Sequence, residues 1–368
     1  MRDAIIEVLD SGHWWQSGNG RAERLEGWIT DFHACLGTVA VTNGTHALEL
    51  ALRALSIGAG DDVLVPAISF ISTATAVSFV GARPVAVDVC PDSLCIDPED
   101  LRRKLTPRSR AVIVVQLGGI PADMTAITEV AARASLAVVE DCAQGLGARW
   151  AGRPVGAIGA MGTFSFQAAK LLAGGEGGAV TVRDDPGLLE RTALLANCGR
   201  PRGSRTYDHV LIGSNFRMSE FHAALLLTQI ASLGQLQARR ESAAASLAAA
   251  LSASGLGTPV TSRDPRAEPA WYTFGIRMLA EVTSQMAIGE VARGLEARGI
   301  PASPLYRPFY ATPAYRDGGA NGEAGCPNAD RAAQEVILLH HRLLLGGQAG
   351  VEAILEALHG IVRSPHGR

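Results

Sequence analysis

The chain has 368 residues, 47% of them hydrophobic and 19% charged, which is enough apolar content for a large core and too much for a disordered chain. A net charge of -3 gives no basic footprint for nucleic acid or an anionic membrane surface. Six cysteines without a CxxC pair argue against a zinc ribbon or a disulfide framework. With no secretory start and no bilayer-length apolar run, a cytoplasmic, reduced protein is expected.

Residues 1–36 read as two short helices around the turn GHWWQSGNG. From Thr38 the pattern changes to β-branched runs at 38–42, 62–66, 84–89, 111–116, 137–141, 163–166 and 179–182. Helical stretches such as HALELALRAL and MTAITEVAARA separate them. Strands buried on both faces with intervening helices predict an α/β fold with a doubly wound, mostly parallel sheet. Residues 219–251 read as almost continuously helical, with loops expected at 265–270 and 315–328. A strand in AWYTFGIRM, a helix in EVARGLEARG and a last helix near 350–362 predict a smaller α+β domain. The division is placed between residues 235 and 236.

Three stretches carry chemistry. In TNGTHALELALRAL (42–55) a strand ends and a helix begins, so the amides of Gly44, Thr45 and His46 suit a phosphate; an ordinary capped helix is the alternative. In AVVEDCAQGLG (137–147) two carboxylates end a strand, where open parallel sheets bind ligands. Alternation sends Glu140 and Asp141 to opposite faces, so one of them can address the crevice, unless Asp141 merely caps the next helix. In FSFQAAKLLAGGEGGAV (164–180), Lys170 sits between an apolar alternation and a glycine-rich loop. A lysine so placed makes sense as a neutral amine bonded to a ligand. Neutral amine, ionised carboxylate and helix-end phosphate site together meet the requirements of pyridoxal 5′-phosphate.

The signature FSFQAAKLLAGGEGG followed by SNFRMSEF, with TNGTHALELAL, VPAISFISTATAV, EDCAQGLGARW and the C-terminal CPNADRAAQEVILLHHRLLLG, resembles the DegT/DnrJ/EryC/StrS sugar aminotransferase family over nearly the whole chain. The resemblance implies fold type I among pyridoxal-phosphate enzymes. It implies Lys170 as the Schiff-base lysine, Asp141 as partner of the pyridine nitrogen, and Gln144 beside the phenolic oxygen. Phe70 would stack on the ring, and Gly44, Thr45 and Ser165 would hold the phosphate. Asn215 would reach the phosphate of a neighbouring subunit, which implies a homodimer with shared sites. His46, His340 and His341 are further candidates, each equally readable as a packed histidine, and Arg217 is as readable as a structural residue as it is as a carboxylate ligand. No metal ligand set is expected.

The branch resembled most holds 3-amino-5-hydroxybenzoate synthases and cyclitol aminotransferases. The aromatising members carry histidine where this chain has Gln144 and Gln116, which favours simple transamination. The leading expectation is amino transfer from glutamine or glutamate to a ketosugar or ketocyclitol in secondary metabolism. An aromatising aminobenzoate synthase is the alternative, and a non-catalytic cofactor-binding regulator a third.

Overall fold

The computed structural model describes residues 1–363 apart from 17–18, 205 and 317–324, so most of the loop expected at 315–328 lies outside the described residues. Seven strands form the main sheet: β1 (Gly37–Val41), β2 (Asp62–Pro66), β3 (Arg83–Val87), β4 (Ser109–Val115), β5 (Ala137–Asp141), β6 (Met161–Ser165) and β7 (Gly178–Val182). Each lies where a β-branched run predicts it. Their order is β1-β7-β6-β5-β4-β2-β3, and β7 alone runs against the rest. Strands β1, β2 and β7 are buried at every position, as two helical layers require of an unalternating apolar strand. Because β1, β5 and β6 share a direction, Val41, Asp141 and Ser165 all end at one edge of the sheet.

A smaller antiparallel sheet contains β8 (Gly257–Val260), β9 (Thr273–Met278), β10 (Ala302–Pro304) and β11 (Val336–His340), in the order β8-β9-β11-β10. Its apolar cluster draws on Ala244, Leu247, Phe274, Ile276, Leu295 and Ile354. The main cluster surrounds the large sheet and also takes in Leu305, Phe309 and Val336.

Two expectations need correction. The helical run from 219 is interrupted: Glu220–Leu227 ends, a 3-10 turn spans Ile230–Ser232, and a new helix runs Leu233–Ser254. The stretch at 265–270 is more than a loop, since Ala267–Glu268 pairs with Arg149–Trp150.

Candidate active site

Strand β5 supplies two acids, and its pleat separates them. Glu140 is fully buried and accepts the amides of Gly156, Ile158 and Gly159 at 2.8, 2.7 and 2.7 Å. It anchors the loop behind the sheet. Asp141 faces the other way, into a cavity of about 560 Å³. Its oxygens accept from Thr73 Oγ1 at 2.9 Å and the Ala143 amide at 3.1 Å. Both donors are neutral. Burial pushes the Asp141 carboxyl above the usual range, while these two bonds and the Lys170 charge pull it back.

Lys170 lines the same cavity, with Nζ 4.6 Å from the centroid of the Tyr272 ring. Burial lowers its pKa, and the Asp141 charge opposes that shift. The glycines beyond it answer to the chain itself. Gly175 has φ +87°, and a Cβ on Gly178 would stand 2.5 Å from the carbonyl carbon and oxygen of Asn43. Only glycine lets β7 pass this close to the cap of the next helix.

That helix, Gly44–Ala54, forms the third wall. Asn43 Oδ1 accepts the His46 amide at 2.8 Å, so this donor is occupied, contrary to the expectation for His46. Gly44 and Thr45 are left to supply the first-turn donors. A Cβ on Gly44 would lie 2.7 Å from Ser165 Cβ, and Thr45 Oγ1 pairs with Ser72 Oγ at 2.7 Å. A small, donor-rich cradle results, at the positive end of the helix dipole.

Gly44, Thr45, Phe70, Asp141, Gln144, Ser165 and Lys170 all border this one cavity. Phe70 is 56% exposed and lies in a T-shaped arrangement with Tyr306. Gln144 is held by one end: Oε1 accepts the Gly118 amide at 2.7 Å, and Nε2 points to Tyr306 Oη at 3.4 Å. Its amide therefore offers a donor to the cavity. Asn215 is exposed and does not line its own chain's cavity.

Gln116 does not border the cavity either. It accepts the Ala122 amide at 2.8 Å and donates to Glu140 at 3.3 Å, on the far side of the sheet. Its identity bears on the Glu140 anchor and not on cavity chemistry. Arg217 donates to Asn197 at 3.0 Å and lies 5.6 Å from the Trp15 ring, as a structural residue does. His46 borders the cavity, while His341 stands behind it, bonded to the Ala169 carbonyl at 3.1 Å. Sequence reasoning missed Thr73, Tyr272 and Tyr306. Tyr272 could have been suspected, since AWYTFG places a polar-tipped ring at a strand entrance; nothing local marks Thr73.

Among known families, the DegT/DnrJ/EryC1/StrS aminotransferase family matches residues 1–359. The chain is 36% identical over 364 residues to 3-amino-5-hydroxybenzoate synthase of Amycolatopsis mediterranei, covering 97% of this chain and 93% of that one. It is 35% identical to L-glutamine:2-deoxy-scyllo-inosose aminotransferase of Micromonospora echinospora, with 98% and 91% covered. To dTDP-3-amino-3,4,6-trideoxy-alpha-D-glucose transaminase of Streptomyces venezuelae it is 40% identical, with 91% and 85% covered. A crystal structure of 3-amino-5-hydroxybenzoic acid synthase superposes with a TM-score of 0.93 at 35% identity, covering 98% of this chain and 96% of that one. The match in sequence and in fold spans nearly the whole length, and the chain therefore belongs to the DegT/DnrJ/EryC1/StrS family and is an aminotransferase.

Proposed function

We propose that the chain binds pyridoxal 5′-phosphate in this cavity and moves an amino group from glutamine or glutamate to a cyclic polyhydroxy ketone, a ketosugar or ketocyclitol. The observation that carries the reading is the pairing of Lys170 and Asp141 in one cavity, with burial pushing each toward neutrality and each one's charge opposing the other's shift. The residues fit the cofactor. A buried carboxylate held by neutral donors has room for a cationic ring nitrogen, and the cradle at Gly44 and Ser165, which a single Cβ would fill, suits a phosphate. When bound, the cofactor supplies an electron sink for the pair released as an α-proton leaves.

The chain's own groups do the rest. Asp141, oriented by Thr73 and Ala143, would keep the ring nitrogen protonated by its charge. Lys170 is placed to take a proton at Nζ and return it to a different atom. Gln144, with Oε1 tied to Gly118, would offer Nε2 as a donor to the phenolic oxygen. Gly44, Thr45 and Ser165 would hold the phosphate, and Phe70 would cover the ring. Asn215, exposed and outside its own cavity, would complete the phosphate site of a second copy. Ile212 and Tyr207 nearby are 98% and 83% exposed, as a surface awaiting a partner is. On this reading residues 1–235 form the arm and cofactor-binding part, and 236–368 the smaller domain. Among the described residues no helix is long and apolar enough to cross a membrane.

A second reading, aromatising synthase, is favoured by the likeness to 3-amino-5-hydroxybenzoate synthase. Gln144 weighs against it, because an amide is no general base at neutral pH. Incubation with glutamine and scyllo-inosose, beside an amino-dehydroshikimate, separates the two. The cyclitol should be aminated; aromatic absorbance without amination of any ketone would reverse the choice.

A further inference from the structure

The contacts around Lys170 close on themselves. Its Nζ lies over the Tyr272 ring at 4.6 Å; that ring stacks on His341 at 5.8 Å with 28° between the planes. His341 Nε2 in turn meets the carbonyl of Ala169, the residue before the lysine, at 3.1 Å. A carbonyl only accepts, so Nε2 must carry the proton. Nδ1 is then a bare lone pair, buried without a partner among the described residues, and the imidazole stays neutral, its pKa depressed by burial to about 4. We infer that Tyr272 is a positioning residue for Lys170, its ring holding the free amine in place and favouring the ammonium, while His341 holds the ring.

A π face suits this role. It attracts a cation without accepting its proton, so it restrains the amine and leaves its proton available to the substrate. The other titratable side chains bordering the cavity are Asp141, Glu176, His46 and Tyr306. Asp141 favours the ammonium by charge, and Tyr272 adds to this by its quadrupole. The role rests on the reading of Lys170 as the amine that is released and re-engaged during turnover.

Lys104 and Lys170 are the only lysines in the sequence, which makes the amine directly readable. The full-length chain, freed of cofactor and checked by circular dichroism, is labelled with acetic anhydride across pH, and each lysine is quantified by mass spectrometry. Only the neutral amine reacts, and Lys104 is the internal reference. Tyr272→Phe should match the unaltered chain. Tyr272→Leu should move the Lys170 midpoint to lower pH, raising the neutral fraction at a fixed acidic pH roughly two- to thirtyfold. Tyr272→Met serves if leucine prevents folding. His341→Leu should move it in the same direction. An unchanged midpoint in folded Tyr272→Leu or Tyr272→Met, or a midpoint shifted as far in Tyr272→Phe, overturns the inference; an unchanged midpoint in His341→Leu overturns its second half. Since labelling is read without cofactor, its failure leaves the cofactor reading standing.

Discussion

Thr73→Val tests whether the charge of Asp141 is what the site uses. Thr73 is 1% exposed and gives one of the two hydrogen bonds on the carboxylate, at 2.9 Å. Valine keeps nearly the same volume and removes the donor, its methyl standing a few tenths of an ångström farther from the carboxylate than the hydroxyl. A bond to a charged acceptor contributes about 1.5–3 kcal/mol. At 1.36 kcal/mol per tenfold, its loss disfavours the ionised form of Asp141 roughly ten- to hundredfold, because the bond serves the carboxylate and not the acid. The sign follows: burial already raises this carboxyl, the variant raises it further, and the acid limb of the pH–rate profile moves to higher pH. The assay is kcat/KM against pH for the unaltered chain, Thr73→Val and Thr73→Ser. Serine should restore the original profile. A valine variant whose profile superimposes on the original would refute the assignment of Asp141 as the working carboxylate.

Other parts of the molecule give further expected outcomes. Glu140→Gln leaves one carbonyl oxygen for three backbone amides and should lower unfolding stability by about 2–4 kcal/mol, measured in urea. Gly178→Ala drives a Cβ against the Asn43 carbonyl and so displaces the cap beside the phosphate cradle. A loss of about 1–3 kcal/mol, with weaker cofactor retention on dialysis, is expected. His33 and His341 are buried neutral, both depressed from 6.5 to about 4. Their contribution is complete above pH 6.5 and is lost as pH falls toward 4, so urea midpoints should drop through that window as unfolding takes up protons at both. Inactive Lys170→Ala and Asn215→Ala chains, mixed, should recover part of the activity through hybrid sites if each cavity borrows Asn215 from a second copy; a fully active monomer in sedimentation would exclude this.

Much of the fold was legible because strands covered on both faces are dominated by apolar and β-branched residues, as the seven runs of the main sheet are. The broken helix at 228–232 was not, since alanine and leucine propensity carries no mark of a turn imposed by packing. Within the site, period-two alternation separated Glu140 from Asp141 correctly. Applied one strand over, it would also have placed Gln116: Val115 pairs with Asp141 in register and Val114 with Glu140, so residue 116 returns to the Glu140 side. Thr73 could not be read in advance, being 68 positions from the carboxylate it serves. The glycine-rich loop after Lys170 was visible in the sequence, but the packing of Gly178 on the Asn43 cap was not.

The central claim, that Lys170 bonds to pyridoxal phosphate in a cavity shared with Asp141, has a direct measurement. The enzyme supplied with the cofactor is reduced with borohydride, digested and mapped by mass spectrometry. With two lysines in the chain, the assignment is unambiguous. A phosphopyridoxyl group on the peptide containing Lys170, and none on that containing Lys104, is the expected result. Modification confined to Lys104, or none in a chain that still transfers amino groups, would contradict it.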